Sequence, residues 1–72
     1  MTLKWKKGDD YHIASGYYRI SKAYGKDGHL LGYSAWYKNR RMGTFTVAEY
    51  GDARLAYNAA KEVCNDNEEA KR

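Results

Sequence analysis

The sequence lacks the features by which most very small domains are held together. Its 72 residues include a single cysteine, Cys64, so no disulfide can form within the chain. The two histidines, His12 and His29, do not stand at metal-ligand spacing from Cys64. We therefore expect no metal and no cofactor. Stability must come from packing within one domain, or from dimerisation.

The sequence also lacks a long hydrophobic run. No apolar stretch is long enough to cross a membrane or to act as a secretion signal. A lone thiol is typical of a reducing compartment. These absences predict an intracellular protein, either cytoplasmic or associated with the nucleoid, with no membrane contact.

Arrangements typical of catalysis are missing as well. Asp9 and Asp10 are adjacent, and neighbouring residues on a strand point to opposite faces, so this pair is interpreted as a solvated turn. No nucleophile is spaced with His12 or His29. Cys64 is expected to pack on a helix. We interpret the chain as a binding protein rather than an enzyme.

The charge is divided unevenly along the chain. Residues 1–45 contain nine Lys and Arg against three Asp, a net charge of +6, whereas residues 46–72 contain four against six and a net charge of −2. Clustering of this kind, more than net charge, is the footprint of a polyanion-binding surface. An anionic partner should meet the first half.

Residue patterns predict an α+β fold with a three-stranded antiparallel sheet and one C-terminal helix. Candidate strands are residues 17–22, 30–38 and 41–47, and two glycines with an Asp-Gly pair predict a hairpin loop at 25–28. Residues 1–10 are expected to be a lead-in or short edge segment, residues 11–64 the sheet–helix domain, and residues 65–72 a frayed polar tail.

The helix is predicted from a change of period after the third strand. Apolar residues recur at intervals of three and four, at Ala53, Ala56, Tyr57, Ala60 and then Val63 or Cys64. Thr46 and Glu49 have capping-box spacing, and Gly51 or Asp52 is an alternative start. The small alanines should let the helix lie close to the sheet.

Alternation along the strands predicts a polar outer face, opposite the helix. The expected nucleic-acid-binding residues are Arg19, Ser21, Ser34, Trp36, Lys38, Arg40 and Arg41. Arg and Lys neutralise phosphates and contact guanine edges, Ser donates to phosphate, and Trp packs on sugar or base.

The register around Trp36 allows several arrangements. A two-residue turn at Asn39-Arg40 places Trp36 outside but also turns Phe45 outward. A bulge at Gly43, or a three-residue loop of residues 39–41, returns Phe45 to the core. A slip by one residue in the second strand would instead bury Trp36.

Residues 19–60 resemble the APETALA2-type DNA-binding domain, in its divergent form found in phages and mobile elements. The resemblance rests on Tyr18-Arg19, on Trp36, on Met42-Gly43-Thr44-Phe45, and on Phe45, Val47, Tyr50 and Gly51 before an alanine-rich helix. It implies a three-stranded sheet laid in the major groove, with Arg19, Lys38 and Arg41 as contact positions.

Two functions remain open from the sequence. One is a small DNA-binding module that uses the basic sheet face, with duplex DNA the favoured ligand. The other is a phage-type inhibitor or adaptor that binds a host protein, such as a nucleic-acid-processing or defence complex, because Tyr and Arg are common at protein interfaces. The small recognition surface also suggests a homodimer.

Overall fold

A computed structural model describes residues 3–8 and 12–71. Within them an antiparallel sheet is followed by two helices. The elements are β1 (Lys6–Lys7), β2 (His12–Ser15), β3 (Tyr18–Tyr24), β4 (Leu30–Tyr37), β5 (Arg40–Thr46), α1 (Val47–Tyr50) and α2 (Ala53–Ala70). The α+β class, the antiparallel sheet and the C-terminal helix are confirmed. The strand number is corrected, because five strands rather than three lie in the described ranges, in the order β1-β2-β3-β4-β5.

The additional strands come from the N-terminal residues. Gly16 has a φ of 60°, in the left-handed region that glycine adopts without penalty, and it reverses the chain between β2 and β3. Ile13 therefore pairs with Ile20 instead of continuing the same strand. Lys6 pairs with Ala14, which makes β1 a short edge segment. Asp9 and Asp10 lie outside the described residues, as does Tyr11.

The loop predicted at residues 25–28 does connect β3 to β4. The Gly28 backbone N–H donates to the Gly25 carbonyl at 3.1 Å, and the Gly25 N–H donates to the His29 carbonyl at 2.9 Å. The His29 N–H also donates to the Asp27 carboxylate at 3.1 Å, the local bond by which Asp stabilises turns.

The turn between β4 and β5 differs from its prediction. Lys38 and Asn39 both have positive φ, at 50° and 66°, and Tyr37 pairs with Arg40. Positive φ at both central residues is the signature of a type I′ turn, whose twist matches that of the strands it joins. The turn is thus Lys38-Asn39 rather than Asn39-Arg40, and Arg40 opens β5.

A β-bulge in β5 restores the hydrophobic pattern. Ala35 pairs with Gly43, but Trp36 pairs with Arg41, so Met42 is the additional residue. The irregularity lies one residue from the bulge expected at Gly43. The bulge has the expected effect of returning Phe45 to the core, and Met42 packs against the core as well.

Both predicted helix starts are used, each by a different helix. The Thr46 hydroxyl accepts from the Glu49 backbone N–H at 3.1 Å and begins α1, which ends at Gly51 with a φ of 80°. The Asp52 carboxylate then accepts from the Arg54 N–H at 2.6 Å and begins α2. The chain therefore changes direction at Gly51.

The core lies between α2 and one face of β3, β4 and β5. Its buried residues are Tyr18, Ile20, Ala35, Ala60 and Cys64, and Ala56 is buried on α2 as well. Because Ala35 and Ala60 are small, the helix axis lies close to the sheet. We call this side of the sheet the helix face.

The helix does not end at the boundary expected after residue 64 but continues to Ala70. Its last turns are bonded to the sheet side of the molecule. Asn65 accepts from the Leu3 backbone N–H at 3.0 Å, and the Asn67 amide donates to the Tyr18 hydroxyl at 2.8 Å. These polar side chains therefore fasten the N-terminal segment and a core tyrosine.

Candidate nucleic-acid interface

Side chains on the side of the sheet opposite α2 form what we call the outer face. Arg19 lies opposite Trp36, and Trp36 lies opposite Arg41 across the next pair of strands. The same transverse row continues through Ala14 to Lys6 at the other edge. Lys6, Arg19 and Arg41 are exposed. The row thus places cations on both sides of an indole ring, and we call it the Trp36 row.

Hydroxyl groups occupy the neighbouring row of the outer face. Ser21 pairs with Ser34, and Ser34 pairs with Thr44. Ser34 is buried, with 7% of its surface exposed, whereas Thr44 is exposed. Because these side chains are short, they protrude little from this part of the sheet. Their hydroxyl groups can donate hydrogen bonds.

The indole of Trp36 is held in place by a hydrogen bond across the strands. Its Nε1–H donates to the Ser21 hydroxyl at 2.9 Å, so the ring leans from β4 over β3. The Arg41 guanidinium lies 5.9 Å from the ring centre, within cation–π distance. Trp36 therefore presents a positioned, half-buried aromatic surface.

Arg19 is positioned from the β4–β5 turn. Its Nη2 donates to the Asn39 side-chain oxygen at 3.3 Å, a long hydrogen bond between exposed groups. Because an exposed bond of this length is weak, the guanidinium retains its freedom to meet an incoming anion.

The structure brings together five of the seven residues predicted for this face: Arg19, Ser21, Ser34, Trp36 and Arg41. Lys38 and Arg40 lie elsewhere. Lys38 occupies the turn, with its Nζ near the rings of Tyr17 and Tyr37, and Arg40 pairs with Tyr37, which packs against the core. The physical reason is the position of the turn and the bulge, which moves Arg40 to the register of the helix face.

The division of charge along the sequence corresponds to a division between the sheet and the helix. Strands β1 to β5 contain six Lys and Arg and no Asp or Glu. Helix α2 contains two Lys and Arg against four Asp and Glu. An anion approaching the outer face therefore meets cations without neighbouring carboxylates on the strands.

The thiol of Cys64 lies buried in the core, on the helix side of the sheet. Burial raises the pKa of the Cys64 thiol to about 11, which keeps it protonated and a poor nucleophile near neutral pH. No cluster of three or more His, Cys, Asp or Glu side chains with metal-binding geometry occurs among residues 3–8 and 12–71.

Lys6 and Thr44 are among the outer-face residues that the sequence-based prediction did not include. Lys6 belongs to the alternation Leu3-Lys4-Trp5-Lys6, in which Leu3 and Trp5 pack against the core. That period of two is a strand signal, and it could have placed Lys6 outside. Thr44 lies on the outer face because of the register that the bulge at Met42 sets, so its placement required the position of the bulge.

Comparison with known proteins finds no relative for this chain. No protein-family model matches it, and no curated protein and no solved structure matches it either. No helix in the described part of the chain is long and apolar enough to span a membrane.

Proposed function

We propose that the protein is a small nucleic-acid-binding module, with duplex DNA its favoured ligand, that uses the outer face of its sheet. The observation that carries the proposal is the Trp36 row, in which Arg19 and Arg41 flank a positioned indole on strands without carboxylates. The resemblance to APETALA2-type domains supports duplex DNA in particular.

In this proposal, cations provide affinity and Trp36 provides a contact surface. Lys6, Arg19 and Arg41 neutralise phosphates and release condensed counterions, which is the main source of sequence-independent affinity. The Ser21 hydroxyl accepts from Trp36, so its own proton remains to be donated to a phosphate oxygen. The indole face packs on sugar or base.

The proposal predicts a measurable salt dependence. With about three phosphate contacts, the logarithm of the association constant should fall with the logarithm of salt concentration with a slope of about −3. Fluorescence anisotropy of a labelled random-sequence duplex, from low to physiological salt, measures this slope directly.

A matched pair of variants tests which surface is used. Arg41→Ala should lower affinity about tenfold and reduce the slope by about 1. Arg54→Ala makes the same charge change at an exposed position of α2, on the opposite side of the sheet. This variant should leave the affinity and the salt slope nearly unchanged. Salt-independent binding, or equal effects of the two variants, would contradict the proposal.

A protein partner is the second candidate function. Large apolar side chains are exposed away from the Trp36 row, and Leu31 and Leu55 are each about half exposed. A protein partner that covered these leucines would remove apolar surface from water, which favours association. An affinity pull-down that recovers one stoichiometric protein, lost in Leu55→Ser but not in Arg41→Ala, would favour this function over DNA binding.

A further inference from the structure

Three separate segments meet at one end of the sheet. These are the β2–β3 turn with Gly16 and Tyr17, the β4–β5 turn with Lys38, and the end of α2 with Lys71. The Lys38 backbone N–H donates to the Tyr17 carbonyl at 3.1 Å, which fastens the two turns together. We call the surface formed by Tyr17, Tyr37, Lys38 and Lys71 the turn-end site.

The turn-end site combines aromatic rings with ammonium groups. The rings of Tyr17 and Tyr37 are in edge-to-face contact, with centroids 6.3 Å apart. The Lys38 Nζ lies 5.2 Å from the Tyr17 ring centre, and the Lys71 Nζ lies 3.2 Å from that of Tyr37. Lys71 also lowers the pKa of the Tyr37 hydroxyl. Both cations are thus held beside rings.

A groove gives this cluster room for a ligand. Its volume is about 290 Å³. Its walls hold one ammonium group and one carboxylate among aliphatic, small and aromatic residues: Leu3, Ser15, Gly16, Tyr17, Tyr18, Tyr37, Glu68 and Lys71. The volume is near the lower limit of small-molecule sites, which are about 300–1,000 Å³, so it suits one ring-sized group. Tyr17 is 70% exposed, which leaves it available for stacking.

The turn-end site is continuous with the Trp36 row. Arg19 is the second residue of β3, and Tyr17 immediately precedes that strand. The Arg19 guanidinium bonds to Asn39, the neighbour of Lys38 in the turn. Cations and aromatic rings therefore alternate from Arg41 and Trp36 on the outer face around to Lys38, Tyr17 and Lys71.

The backbone at Lys38 adds an independent observation. Lysine with a φ of 50° is uncommon, because a left-handed conformation at this turn position favours Asn or Gly. A residue kept in a costly conformation at an exposed turn points to a use for its side chain. Here the ammonium group extends over the Tyr17 and Tyr37 rings.

We propose that the turn-end site binds a single-stranded extension of the nucleic acid seated on the outer face. One base stacks on Tyr17, and adjacent phosphates contact Lys38 and Lys71. A basic surface interleaved with aromatic side chains is the chemistry by which proteins hold single strands without sequence preference. The inference rests on the proposed function, since the duplex delivers the strand to the site.

The test compares three labelled probes by fluorescence anisotropy: a blunt duplex, the same duplex with an oligothymidine extension on either strand, and oligothymidine alone. The extension should raise affinity about tenfold, the effect of stacking roughly one base. Tyr17→Ala should remove this gain and leave blunt-duplex binding unchanged. Tyr24→Ala is the matched control, because Tyr24 is 45% exposed at the opposite end of β3.

A second variant separates a structural role from a binding role. Lys38→Gly is compatible with the positive φ of the turn, so the fold should be retained. Lys38→Gly should nevertheless lose the gain in affinity that the extension gives. Asn39→Gly, in the same turn, should keep most of that gain. Thermal unfolding of both variants checks that they remain folded.

The outcomes distinguish this inference from the proposed function. The turn-end site would be overturned, with duplex binding left intact, if blunt and extended duplexes bind with equal affinity. It would also be overturned if Tyr17→Ala lowers the affinity for the two duplexes equally. If oligothymidine binds through Tyr17 but no duplex binds, the outer-face function fails and the single-strand site stands. If an acidic peptide competes for Tyr17 better than oligothymidine does, the site belongs to a protein partner and the inference is overturned.

Discussion

The two faces of the sheet are built from the same strands but differ in burial and in chemistry. On β3, Ile20 is 2% exposed and packs under α2, while its neighbours Arg19 and Ser21 lie on the outer face. On β4, Ala35 is fully buried and Trp36 is only half buried. Alternate residues of one strand therefore belong to the core and to the proposed binding surface, so we expect that stability and binding can be changed separately.

The difference between the two faces depends on the register of the strands, since a shift of one residue would exchange the faces. The bulge at Met42 protects β5 from that exchange. It keeps Phe45 in the core and Arg41 beside Trp36. A bulge on an edge strand also discourages pairing with a second chain.

The largest expected effect is on the helix face. Ile20→Ala should lower the free energy of unfolding by about 2–5 kcal/mol, because it leaves a cavity in the core. A domain of this size has on the order of 3–5 kcal/mol in total, so much of the population should unfold. Urea denaturation followed by circular dichroism measures this.

Its control lies one residue away on the other face. Ser21→Ala removes the bond to Trp36 and should cost only about 1 kcal/mol. Equal losses in the two variants would mean that the faces are not energetically distinct.

The next effect is on binding through the outer face. Arg19→Ala with Arg41→Ala should weaken duplex binding by roughly a hundredfold, while the free energy of unfolding changes by only about 0.5 kcal/mol. Lys26→Ala with Arg54→Ala removes the same charge from a turn and from α2. If that control weakens binding as much, net charge and not the outer face determines affinity.

Deleting Met42 should prevent β5 from placing its residues correctly on both faces of the sheet. Without the extra residue, either Phe45 leaves the core or Arg41 leaves its position beside Trp36. Exposing the phenyl ring costs about 2 kcal/mol, so reduced stability or lost duplex binding is expected. Met42→Ala keeps the residue count and should retain binding. A deletion variant with unchanged stability and affinity would contradict the role of the bulge.

The last expected effect is confined to alkaline pH and concerns Cys64. Burial raises its pKa from 9.0 to about 11, so between these values the unfolded chain releases the proton while the folded protein keeps it. The unfolded state then binds fewer protons, and the free energy of unfolding falls as pH rises through this range.

Cys64→Ala tests this directly. The variant should show a shallower decline of stability between pH 9 and pH 11 than the unmodified protein in matched urea titrations. Identical slopes in the two proteins would show that Cys64 titrates equally in both states.

The parts of the fold that were predicted correctly depend on local signals. The spacing of Ala53, Ala56 and Ala60 located the buried side of α2, and the glycines at 25 and 28 located a hairpin loop. Thr46 and Asp52 are both caps because each side chain satisfies a nearby backbone N–H. These features require no knowledge of distant residues.

The parts that were missed depend on tertiary contacts. Lys38 adopts positive φ against its own preference, because the turn must match the twist of β4 and β5. The bulge at Met42 is needed only once Phe45 has a core to fill. Strand β2 is just four residues long and forms by pairing with β3, so propensity alone could not establish it.

The most direct test of the central claim is to map the bound surface by NMR. Titration of ¹⁵N-labelled protein with a short duplex should shift the backbone amides of Arg19, Ser21 and Arg41 and the indole N–H of Trp36. The amides around Ala56 and Ala60 on α2 should remain unchanged. Shifts concentrated on α2, or no shifts at low salt, would contradict nucleic-acid binding by the outer face.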